Sequence, residues 1–101
     1  MKVRILDEAA AELADAIDRY ESIESGLGVR LKEEVRFAVA WVSANPDLPR
    51  LRPKGYRRVN LKIFPYYVAY TLHSDTIWLL AVAHSSRRPE YWISREPPPS
   101  A

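Results

Sequence analysis

Apolar residues recur along this chain with two different periods, and the change from one to the other separates helices from strands. Lys2-Val3-Arg4-Ile5-Leu6 alternates polar and apolar as a half-buried strand does. Ala10, Leu13, Ile17 and Tyr20 then recur three and four residues apart, which places them on one face of a helix from about Glu8 to Glu24. Asp7 is expected to cap this helix through its side-chain oxygen, and Glu8 puts negative charge near the positive helix end. Gly26 suits the left-handed residue that follows a helix terminus. A second stripe runs through Leu27, Leu31, Val35, Ala38 and Val42, and Asn45-Pro46 ends it, because the residue before a proline disfavours the helical region. So short a link makes the helices an antiparallel pair. Phe37 and Trp41, at i and i+4 beside the second stripe, are expected to be buried between the helices or against a sheet, where most large aromatics end up, the alternative being an exposed docking patch.

Beyond the helices the period becomes two. Pro46 to Gly55 reads as a loop along which Arg50, Arg52 and Lys54 alternate. Tyr56 to Ile63 places Val59, Leu61 and Ile63 on a core face and Arg58, Asn60 and Lys62 on the other. Phe64-Pro65-Tyr66 turns the chain, Tyr67 to Leu72 runs back, His73-Ser74-Asp75 makes a tight connection and Thr76 to His84 forms the last strand. These links give an antiparallel meander. The expected fold is α+β, β-α-α-β-β-β, with an antiparallel sheet covered on one face by the helical hairpin.

Two helices cover one face only. Ile77 to Ala83 is apolar at every position, so either Trp78, Leu80 and Val82 or Ile77, Leu79, Ala81 and Ala83 point to the far side. Arg58, Asn60 and Lys62 stand beside them, with Lys2 and Arg4 pointing the same way. Two fates follow for such a face: it receives a partner, or the C-terminal segment with Tyr91, Trp92 and Ile93 folds back over it.

Composition narrows the chemistry. The 101 residues include no cysteine and two histidines, His73 and His84, which removes disulfides and thiolate sites and argues against a metal or other cofactor. No apolar run approaches the roughly 20 residues that span a bilayer, and Met1 to Asp7 lacks a signal-peptide core, so a cytoplasmic location and no membrane partner are expected. Charge is polarised. Residues 1–48 hold six Lys/Arg against ten Asp/Glu, and residues 49–101 hold nine against three, which favours an anionic partner for the second half.

Several segments together resemble a known family: Ala11-Glu12-Leu13, Gly26-Leu27-Gly28-Val29-Arg30-Leu31, Asn45-Pro46, Arg57-Arg58-Val59, Phe64-Pro65-Tyr66, Ala81-Val82-Ala83-His84 and Arg88-Pro89-Glu90-Tyr91-Trp92. In this order they are similar to the ParE branch of the ParE/RelE toxin superfamily, whose members are often labelled plasmid stabilisation toxins. The likeness spans a single toxin domain, residues 1–92, followed by a Pro-rich tail, residues 93–101. It implies the toxin of a type II toxin–antitoxin module, neutralised by a cognate antitoxin that carries the DNA contact, with a homodimer as a further state.

ParE-type members act on DNA gyrase by contact, without a catalytic site, whereas RelE-type members are ribosome-dependent mRNA endoribonucleases. For a ribonuclease the candidates are His84 as base or acid, Arg57, Arg58 and Arg87 on phosphate, and Tyr91 for stacking or proton donation. Against that, Tyr66-Tyr67 stands where the RelE-type pattern has Tyr followed by a phosphate-gripping Arg. Lys54 is alone where that branch has a lysine pair, with Arg50 and Arg52 replacing it in charge only. The gyrase reading assigns target contact to Arg50, Arg52, Arg87, Arg88, Tyr91 and Trp92, and antitoxin contact to Arg58, Lys62, Trp78 and Leu79. A third reading is an inert module that binds an antitoxin and poisons nothing.

Overall fold

Both periods translate into elements at the expected places. The computed structural model describes residues 1–99, with β1 (Lys2–Ile5), α1 (Asp7–Ile23), α2 (Leu27–Ala44), β2 (Arg57–Asn60), β3 (Tyr66–His73) and β4 (Thr76–His84) in chain order. Gly26 takes a φ of 92° between the helices, the left-handed geometry that lets so short a link reverse the chain. Asp7 is the first residue of α1 rather than its cap. Leu6 occupies the cap position without a side-chain bond, so Asp7 and Glu8 contribute charge alone. Among the described residues no helix is long and apolar enough to cross a membrane.

The sheet order is β1-β4-β3-β2. The meander β2-β3-β4 is antiparallel, but β1 pairs with β4 in parallel, so the sheet is mixed rather than antiparallel throughout. Two helices separate β1 from β2. That long connection lets β1 take the open edge of β4 in the same direction, as a parallel pair requires.

One irregularity decides which side chains face the helices. A register shift between Ala69 and Tyr70 leaves Leu80 as an extra residue in β4. Consequently Ile77, Leu79 and Val82 pack under the helices with Val68, Tyr70, Leu31, Val35 and Val42, while Leu80, Ala81 and Ala83 face the far side with Tyr67 and Ala69. Neither alternative from strict alternation is correct, because the bulge puts two successive residues on one face.

β2 is shorter than its alternating pattern. The chain leaves the ladder after Asn60, and the Glu34 carboxylate on α2 accepts the backbone N–H groups of Lys62, Ile63 and Phe64 at 2.9–3.3 Å. That anchored turn drives Phe64 into the core and leaves Ile63 69% exposed, the reverse of the expected order. Phe37 and Trp41 also differ from expectation: at 74% and 41% exposed, they stand on the outer face of α2.

Gly28 marks the closest approach of the two helices. A Cβ there would meet the Ile17 carbonyl oxygen and the Glu21 side chain, whose carboxylate accepts the N–H groups of Gly26 at 2.8 Å and Gly28 at 2.9 Å. Gly28→Ala is therefore expected to destabilise the fold by roughly 1–3 kcal/mol through overpacking. The check is a lower urea midpoint at unchanged m-value.

Candidate functional site

The surface opposite the helices is sealed by the chain's own C-terminal segment. After β4 the backbone makes successive tight turns, with N–H groups of Tyr91, Ile93 and Arg95 bonding carbonyls of Arg88, Glu90 and Trp92. Glu90 takes a φ of 59°, a left-handed conformation unusual for a residue with a side chain. Its carboxylate accepts the Tyr56 hydroxyl at 2.6 Å and pairs with Lys54 at 3.0 Å. Those bonds hold the Glu90 carboxyl below the usual carboxylate range. Trp92, 1% exposed, donates its indole N–H to the Tyr67 hydroxyl at 2.9 Å and meets the Tyr56 ring edge-on at 4.6 Å.

A single carboxylate ties this segment to the rest. β1 pairs with β4 only as far as Leu79, which leaves the next stretch of the β4 edge without a strand partner. Glu12 of α1 reaches it and accepts the Val82 N–H at 3.1 Å. Arg95 closes the gap from the other side, donating to both Glu12 oxygens at 2.8 and 3.1 Å and to the Leu80 carbonyl at 3.1 Å. The Tyr91 hydroxyl donates to the same carboxylate. Burial, with the bond to Glu12, pushes the Tyr91 phenol up to about 12, and the bond to Glu12 raises the Arg95 guanidinium further.

Beside this lock opens a cleft of about 520 Å³ lined by Arg19, Tyr66, His84, Ser86, Arg87 and Tyr91, among others. The His84 Nδ1 accepts the Ser86 N–H at 3.1 Å, so the neutral ring carries its proton on Nε2. Its ring meets that of Tyr66 edge-on, whose hydroxyl accepts from Arg19 at 3.1 Å. The Arg87 guanidinium lies 3.8 Å from the Tyr91 ring centroid. On the helical side a larger groove, of about 1030 Å³, runs between α2 and the 59–64 segment, with Val29, Phe37, Trp41, Leu61 and Ile63 as its apolar wall.

The sequence-assigned residues divide among these places. His84, Arg87 and Tyr91 share the cleft, but Arg58 lies on the far face, stacked 3.9 Å over Tyr67 and bonded to Asn60. Arg57 is committed to the 47–49 loop through Asp47 and Pro49. The Tyr91 hydroxyl is held by Glu12, which makes it a poor proton donor. The cleft thus brings His84 and Arg87 together but leaves Arg57 and Arg58 outside it, with the Tyr91 hydroxyl engaged by Glu12. Arg50, Arg87 and Arg88 are exposed and Arg52 half-buried, whereas Trp92 is interior and holds the tail rather than presenting an indole. Of the residues assigned to the antitoxin, Lys62 is exposed at the groove, Arg58 and half-buried Trp78 lie on the far face, and Leu79, 4% exposed, is part of the helix-side core, on the same face as Ile77 two residues before it. Glu12, Arg95, Glu34 and the outward turn of Phe37 were not read from the sequence. Only Phe37 carried a signal, its place beside the main stripe of α2.

A sequence profile described as "ParE toxin of type II toxin-antitoxin system, parDE" matches residues 3–89. Among solved structures the chain is similar to one described as "Chromosomal ParDE TA system from P. aeruginosa", with a TM-score of 0.64 and 21% identity over 83% of this chain and 95% of that one. At that identity the likeness speaks for the fold. No curated protein matches the sequence.

Two outcomes test the lock. Glu12→Ala leaves Arg95 and Tyr91 without their shared acceptor and is expected to cost about 2–4 kcal/mol, near the low end for breaking a part-buried pair. Faster hydrogen exchange confined to residues 85–95 would be its signature. The second is alkaline. The folded Tyr91 holds its proton more tightly than a free phenol of pKa 10.0, so its contribution is intact below pH 10 and is lost as pH rises towards about 12. Tyr91→Phe is expected to flatten the stability profile in that window, read from urea midpoints at successive pH values.

Proposed function

Since the chain belongs to the ParE toxin family of type II toxin–antitoxin systems, we propose that it arrests growth by binding DNA gyrase and is silenced when an antitoxin segment occupies the groove on α2. The observation that carries this reading is the exposed apolar wall formed by Phe37, Trp41 and Ile63. A chain of this size that seals one sheet face with its own tail, yet leaves three large apolar side chains together on another, has a surface suited to a partner. Arg30 and Lys62 at the groove are free of ion pairs among the described residues, so an antitoxin helix or strand with apolar anchors and carboxylates fits it. The edge strand β2 runs alongside and offers unpaired backbone groups to an extended segment.

The gyrase contact is assigned to the exposed cations Arg50, Arg87 and Arg88, with the Tyr91 ring beneath Arg87. Inhibition by contact rather than cleavage is favoured by the commitment of the Tyr91 hydroxyl to Glu12. Arginine stacked on an aromatic ring is a frequent anchor of tight interfaces.

Expression of the chain alone is expected to stop growth, and co-expression with its antitoxin to restore it. Phe37→Asp with Trp41→Ala should weaken antitoxin binding on the order of 100-fold, as loss of two hot-spot anchors does, so that toxicity persists despite the antitoxin. Arg87→Ala with Arg88→Ala should leave the thermal midpoint unchanged and restore supercoiling by purified gyrase. Supercoiling unaffected by the wild-type chain, together with codon-dependent mRNA cuts in a translation extract, would replace gyrase by the ribosome as target.

A further inference from the structure

The fold sorts charge by layer. Residues 7–44, which form the two helices and their link, hold four Lys/Arg against nine Asp/Glu, and the remainder of the chain holds eleven against four. Much of the positive excess lies on the sheet face away from the helices. Lys2 and Arg4 stand there on β1 by their register with Thr76 and Trp78, and Arg58 stands there on β2 opposite Ala69. Arg52 and Lys54 flank Tyr56 and Glu90 beside Arg58, and Lys54 spends its charge on Glu90. Among the described residues Lys2, Arg4, Arg52 and Arg58 form no ion pair.

Two features of this face suit a polyanion better than an acidic protein. Its largest aromatics Trp92, Tyr56 and Tyr67 are buried and Trp78, Tyr91 and Ile93 are only half-exposed, so it has no fully exposed apolar anchor of the kind that Phe37 gives the α2 groove. Its cations fall in two groups on opposite sheet edges, three inter-strand steps or roughly 14 Å apart, comparable with the ~12 Å width of the B-DNA major groove. We propose that this face lies against the phosphate backbone of duplex DNA, with Lys2 and Arg4 meeting one line of phosphates and Arg52 and Arg58 the other. This goes beyond the gyrase reading and beyond the resemblance, which leaves DNA contact to the antitoxin alone. It is measured without gyrase, so either can fail independently.

The test is anisotropy of a labelled random-sequence duplex titrated with the whole chain across a salt series. Binding is expected on the order of 1–100 µM near physiological salt, with log affinity falling linearly against log salt. Lys2→Glu with Arg4→Glu, both exposed, should weaken binding at least tenfold and reduce the salt slope by about two. Lys32→Glu with Arg36→Glu makes the same charge change on α2 and should have little effect. Arg58→Glu probes the other edge, and the β1 pair keeps the test valid if that variant does not fold. The proposal is overturned if the wild-type chain fails to bind at low salt, or if the α2 variant loses as much as the β1 variant. It is equally overturned if polyglutamate competes as well as DNA, which would assign the face to an acidic protein, or if single-stranded RNA binds more tightly than the duplex.

Discussion

The Glu12 carboxylate joins three parts of the molecule that the chain brings together only at its end. It sits on α1, satisfies a backbone donor on the uncovered edge of β4, and receives both a guanidinium and a phenol from the C-terminal segment. A four-residue β1 beside a nine-residue β4 creates the need, because an unpaired strand edge near the core must find polar partners. Once Arg95 and Tyr91 are drawn to that edge, Trp92 falls on the hydroxyl of Tyr67, and the far face of the sheet closes. Everything exposed elsewhere is defined by this closure.

With the far face sealed from within, the surfaces left to other molecules differ in kind. The groove on α2 is apolar and concave, kept in shape by Glu34 gripping the 62–64 backbone. The face opposite the helices is cationic along both sheet edges, and its large apolar side chains are buried or half-buried under the tail. The cleft beside His84 combines Arg19 and Arg87 with three tyrosine rings. A toxin has to meet both a target and an antitoxin, and a surface divided in this way lets the two use separate chemistries.

Much of this architecture was legible in the sequence because it depends on local periodicity. Both helices, the reversal at Gly26 and the antiparallel meander follow from residues close together in the chain. What could not be read depends on pairings across the chain. Strict alternation cannot reveal that Leu80 is an extra residue, because Ile77 to Ala83 is apolar at every position and no polar residue marks the phase. The parallel partner of β1 is fixed by which edge remains free, not by the composition of Lys2 to Ile5. Glu12 looks like any solvated residue on a helix face until Arg95 arrives from 83 positions away. Phe37 and Trp41 follow the helical period but sit just outside the buried stripe, and side-chain type alone assigns them to the core. For Trp92 the sequence leaves two fates open, target contact or folding back over the sheet, and the Tyr67 hydroxyl that receives its indole N–H decides for the second.

The central claim is that the groove on α2, and not the sheet face beneath the C-terminal segment, is where the antitoxin binds. Hydrogen exchange of the free toxin compared with the toxin–antitoxin complex tests it directly, since the two surfaces fall in separate stretches of the chain. The account requires new protection in residues 29–41 and 57–64, with exchange across residues 80–95 unchanged. Protection absent from the groove, together with altered exchange in residues 80–95 as the antitoxin displaces the tail, would contradict it.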